Sequence, residues 1–152
     1  MTATFADYAA EQDARNTIEQ NVTKWTLMLC EALKKNYIDY SIRSHQNAIN
    51  KDGIVDESYV PYHQQRIEEL KNGECDYEFT IESGRKYHKV IMNVKNSNRS
   101  VHCFIDKKTG EVYMSASWKS PAKGVRYDLR IITQREWLLN NADLAGGYLY
   151  KR

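Results

Sequence analysis

Over residues 77–131 apolar and polar residues alternate in short blocks, and the turn-forming groups Ser83-Gly84, Asn96-Ser97-Asn98 and Lys107-Lys108-Thr109-Gly110 punctuate them. A period of two places every second side chain on one face of a strand, and short turns join neighbouring strands antiparallel. With a two-residue Ser83-Gly84 turn, Tyr77, Phe79 and Ile81 share a face with His88 and Val90. Loops at 96–99 and 106–109 then set Val90, Met92 and Val94 opposite Ile105, Cys103 and Val101, which lie opposite Gly110, Val112 and Met114. A slip of one residue would turn any of these sets out to water, so their agreement specifies the register. After a loop at 116–124, Val125, Tyr127, Leu129 and Ile131 alternate with Arg126, Asp128 and Arg130 and predict a fifth strand.

The flanking segments follow the helical period. Ile18, Val22, Trp25, Leu29 and Leu33 recur at spacings of three and four, which predicts an amphipathic helix over 17–34; a Thr17/Gln20 capping box fits its start, and Phe5, Tyr8 and Ala9 fit the alternative of an earlier turn running into the same helix. Ile38, Tyr40 and Ile42 alternate as a short strand would, and 45–56, with Asp52-Gly53, reads as a loop. A second helix at about 60–72 has Pro61 in its first turn, Val60, His63, Ile67 and Leu70 on one side and Gly73 just past its end. A third, at about 134–141, follows a Thr133/Glu136 capping box, and Gly146-Gly147 turns the chain into Tyr148-Leu149-Tyr150. The expected fold is α+β: one domain over 1–152, with an antiparallel meander of four to five strands packed against a long N-terminal amphipathic helix. The C-terminal segment 137–150 is available to cover the face of the sheet that carries Ile91, Phe104 and Tyr113 beside His102 and Lys89.

Composition narrows the function classes. A net charge of +2 is too small to announce a nucleic-acid binder by itself. Three cysteines without a CxxC pair, and an acidic N-terminus lacking an apolar core, point away from a secreted disulfide framework and toward the cytoplasm; the sequons at Asn21 and Asn98 are then chance matches. No run of about 18 apolar residues predicts a membrane span. His88, His102 and Cys103 do not converge as metal ligands, because adjacent strand residues face opposite ways. Asp52, Asp56 and Glu57 lack the alternation of a calcium loop, and Glu78, Glu82, Lys86 and Lys89 read as edge charges rather than a catalytic set. No catalytic residue, cofactor site or metal site is expected.

The segment HCFIDKKTGEVY, the following SWKSPAKGVRYDL and the terminal GGYLY carry an HxF strand, a D-x-x-T-G turn, a Ser-Trp strand end and a Pro-Ala-Lys loop. In these parts, roughly the last third, the chain resembles small uncharacterised proteins of tailed bacteriophages. The resemblance implies a viral gene product made in a bacterial host cytoplasm, and it brings no activity.

One place concentrates side chains beyond what a core requires: Trp118, Lys119, Lys123, Arg126, Tyr127 and Arg130, with four cations against Asp128. Cations interleaved with aromatics suit the phosphates and bases of a single strand. The favoured reading is a tryptophan that anchors its loop to the core while the cations are solvated. Eleven tyrosines favour protein interfaces. The expected function is thus a non-enzymatic phage accessory or structural protein acting through protein–protein contacts, with a protein partner or by self-association. A single-stranded nucleic-acid binder using the 118–130 loop is the competing expectation, and an enzyme of unidentified class ranks third.

Overall fold

The structure, a computed structural model, describes residues 4–50 and 57–150. It is α+β: among the described residues three helices, α1 (Phe5–Asn50), α2 (Val60–Lys71) and α3 (Ile132–Asn141), accompany a five-stranded antiparallel sheet. The strands are β1 (Tyr77–Ser83), β2 (Tyr87–Val94), β3 (Arg99–Asp106), β4 (Glu111–Met114) and β5 (Tyr127–Asp128), arranged in sequence order.

α1 is far longer than the apolar stripe at 18–33 predicts. It begins at a reciprocal cap, with the Thr4 N–H donating to Asp7 Oδ2 (3.1 Å) and the Asp7 N–H to Thr4 Oγ1 (3.1 Å). Hydrogen bonding to the carboxylate from the Thr4 backbone N–H, and then from the Thr4 hydroxyl, holds the Asp7 carboxyl below the usual range. Thr17, expected to cap, lies inside the helix and donates its hydroxyl to the Asp13 carbonyl (2.9 Å). The strand expected at 38–42 and the loop expected from His45 are also helix. Ile38, Ile42, His45 and Ile49 recur at helical spacing and are half-buried, while Tyr40, the centre of the apparent alternation, is exposed. This distal half of α1 packs on α2. The Asp52-Gly53 turn and the acids Asp52 and Asp56 lie outside the described residues.

α2 follows the expectation: Pro61 is in its first turn, Ile67 and Leu70 are buried, and Gly73 beyond its end adopts φ +84°.

The core lies between α1 and one face of the sheet. Val22, Leu29, Cys30 and Leu33 meet Phe79, Val90, Cys103, Ile105 and Val112, with Ile18 and Trp25 packed against them. Each fully buried aliphatic side chain contributes about 1.5–3 kcal/mol. The connections are longer than expected. Phe79 pairs with Met92 and Ser83 with His88 around residues 84–87, a register four positions along β2 from that of a two-residue turn. Val90 pairs with Cys103 and Ile105 with Val112, each two positions away. Because all three shifts are even, the predicted faces survive.

One irregularity breaks the pattern. Between Val90 and Ile91 the register with β3 slips by one, leaving His102 as an extra residue in a bulge. Val101 therefore pairs with Ile91, on the face away from the core, so Val90, Met92, Cys103, Ile105, Val112 and Met114 join the core as expected while Val101 does not. His102, expected on the outer face, turns to the core side. Its ring meets Phe79 edge-on at 5.8 Å and its Nε2 lies 2.6 Å from the Tyr148 hydroxyl.

β5 covers two residues of the seven expected, since only Tyr127 and Asp128 pair with β4 while Val125 and Ile131 are exposed. Thr133 lies within α3, whose N-cap is Ile131 without a side-chain bond. The approach is held instead by Gln134, which accepts the Asp128 N–H (2.8 Å), and by Arg135, which donates to the Leu129 carbonyl (2.7 Å). Leu138, Ala142 and Leu149 enter the core, so the C-terminal segment covers the α1 side of the sheet rather than its outer face.

Candidate functional site

The 115–121 loop closes on a bridge between Ser115 and Pro121. Ser117 Oγ accepts the N–H groups of Lys119 (3.3 Å) and Ser120 (3.2 Å), which shapes its tip. At that tip Trp118 is 40% exposed. It stands outside the core cluster and does not anchor its loop there. Lys89 Nζ lies 5.1 Å and the Arg99 guanidinium 5.6 Å from the ring centroid, so cations from β2 and β3 brace the loop over the outer face. Arg99 is itself held by Glu82 Oε2 (3.0 Å) and Asn93 Oδ1 (3.1 Å). Below them Phe104 is buried, with the Tyr87 ring edge-on at 5.7 Å.

The six residues singled out in sequence do not form one surface. Arg126 Nε donates to the Leu149 carbonyl (2.7 Å), and its Nη1 donates to Lys123 O (3.2 Å) and Gly124 O (3.1 Å). Tyr127 is buried, stacks on Trp137 at 5.4 Å and donates its hydroxyl to Tyr148 O (2.6 Å); burial pushes its phenol up. Both residues bind the C-terminal segment to the sheet. Lys119, Lys123 and Arg130 are exposed, with Arg130 3.7 Å from the Asp128 carboxylate. Arg99, which meets Trp118, escaped notice because the loop expected at 96–99 included it.

The carboxylates on the hairpin are paired, while Lys86 and Lys89 lie over aromatic rings. Lys34 Nζ lies 2.6 Å from Glu78 Oε1, and Glu82 meets Arg99. His88 hydrogen-bonds Ser83 Oγ (2.7 Å) and Thr23 Oγ1 (3.1 Å), and burial lowers its pKa. Burial raises both core thiols, Cys30 to about 12, which leaves them protonated and poor nucleophiles.

Large apolar side chains do reach the surface. The first α1 residue packed against the core is Ile18, so residues 5–16 run about three turns past it, with Phe5 85% and Tyr8 58% exposed. Near α3, Ile132 is 60% and Trp137 46% exposed. An open cleft of 480 Å³ between α1 and the segment after α3 is lined by Tyr37, Tyr40, Arg43, Tyr77, Asp143 and Leu144. These features are suited to receiving side chains of another protein.

No helix among the described residues is long and apolar enough to cross a membrane. No curated protein matches the chain, and no solved structure matches it. One family model, described as a family of unknown function, matches residues 5–151, from the first turn of α1 past the last core residue, Leu149. The chain therefore belongs to the family of unknown function DUF7717.

Proposed function

We propose that this chain is a non-enzymatic accessory or structural protein of a tailed bacteriophage, acting in the host cytoplasm through protein–protein contacts and associating with itself. The observation that carries the reading is the N-terminal overhang of α1, whose Phe5 and Tyr8 stand in solvent with no core beneath them. A helical stretch of this length gains little stability from its own hydrogen bonds, and a docked partner supplies the missing burial. The phage origin rests on the resemblance of the HCFIDKKTGEVY and SWKSPAKGVRYDL segments. Sedimentation of the full chain over a range of concentrations should show a small oligomer. Joint replacement Phe5→Ser and Tyr8→Ser should shift it toward monomer with helicity otherwise retained. A strict monomer at every concentration overturns self-association.

A second reading, a single-stranded nucleic-acid surface, draws on Trp118 and the exposed Lys119 and Lys123. It is the weaker of the two because Arg126 and Tyr127 are engaged with the C-terminal segment and Trp118 already carries two cations.

A further inference from the structure

His45 on α1 and His63 on α2 meet across the helix pair with their Nδ1 atoms 2.8 Å apart and their ring centroids at 5.1 Å. Both rings are half-buried, and Tyr62 approaches each, at 6.1 Å from His45 and 5.3 Å from His63. The placement follows from the helices. His45 continues the Ile38, Ile42 and Ile49 stripe, and His63 precedes Ile67 and Leu70 on the facing side of α2. Two imidazole nitrogens aimed at one point satisfy each other only if one carries hydrogen and the other does not. The same convergence is that of a chelate. Two nitrogens at 2.0–2.1 Å from a tetrahedral zinc ion stand about 3.3 Å apart, so the rings need separate by only roughly 0.5 Å.

We propose that His45 and His63 chelate a divalent transition-metal ion of the imidazole-binding class, such as Zn²⁺ or Ni²⁺, with water filling the other positions, and so tie the distal half of α1 to α2. Arg66, one turn along α2 from His63, is paired with Glu69 and lies 3.7 Å from Asp76, which tempers its repulsion of an incoming cation. The site is independent of the self-association reading, because it lies within one chain and away from the α1 overhang.

Zn²⁺ titrated calorimetrically into the full chain tests it, in a Cys75→Ser background so that the half-buried thiol cannot compete. One ion per chain should bind. His45→Gln and His63→Gln should each weaken it by about tenfold or more, and excess Zn²⁺ should raise the Tm of the parent by several degrees but not that of either variant. No Zn²⁺ uptake, or affinity unchanged in both variants, overturns the site. Imidazole ¹⁵N resonances of the parent chain give a readout that needs no substitution at either histidine. Zn²⁺ should displace the Nδ1 signals of these two rings, and signals that stay in place overturn the proposal.

Discussion

His102 ties stability to pH. The bulge carries its ring to the core side, where burial lowers its pKa to about 4 from an ordinary value of 6.5. In the tautomer protonated at Nδ1 its Nε2 accepts the Tyr148 hydroxyl at 2.6 Å, and a proton on Nε2 would remove that acceptor. The unfolded chain binds this proton more readily than the folded one. Its contribution to stability is therefore complete above about pH 6.5 and is lost as pH falls toward 4, on the order of 3 kcal/mol. His45 and His88 are lowered too and add to the same acid slope. Urea unfolding at several pH values should show stability falling below pH 6.5, with a shallower fall in His102→Gln. An identical slope in the two proteins would place the acid sensitivity elsewhere.

Among the elements, the turn between β3 and β4 shows what a short motif encodes. Asp106 Oδ1 accepts the N–H groups of Lys108 (2.8 Å) and Thr109 (3.1 Å), and Gly110 at φ +76° donates to the Asp106 carbonyl (2.9 Å). A Cβ on Gly110 would stand 3.4 Å from the Val22 side chain and 3.5 Å from Leu129. Gly110→Ala should therefore cost about 1–2 kcal/mol, chiefly through the left-handed backbone, and thermal unfolding reads the loss directly. Turn and strand signals of this kind made the sheet legible. Its faces survived wrong loop lengths because the errors were even, whereas the single-residue bulge at His102 left no mark in the alternation and carried Val101 and His102 to unexpected sides. α1 was legible only where it meets the sheet. At 38–42 the pairing of Ile38 and Ile42 with an exposed Tyr40 mimics a strand, and the deciding partner, α2, is distant in sequence. The candidate site suffered similarly: Arg126 and Tyr127 look like surface chemistry until the C-terminal carbonyls they bind are placed beside them.

At the scale of the whole molecule, the distribution of charge separates the two functional readings. The net charge is +2, and several cations that would meet phosphate already have partners within the chain: Arg126 backbone carbonyls, Arg99 the Glu82 carboxylate, and Lys89 the Trp118 ring. Of the basic loop only Lys119, Lys123 and Arg130 remain on the surface. Three phosphate contacts to a single strand give a log–log salt slope of only about −2, and correspondingly weak binding. Fluorescence anisotropy with a labelled oligothymidine should then show little affinity at low salt, a slope no steeper than this, and little change on Lys123→Ala. A steeper slope that Lys123→Ala flattens would require cations to leave their internal partners on binding. That outcome would move the assignment from protein contact to nucleic acid, since releasing Lys89 or Arg99 also frees the Trp118 ring for a base.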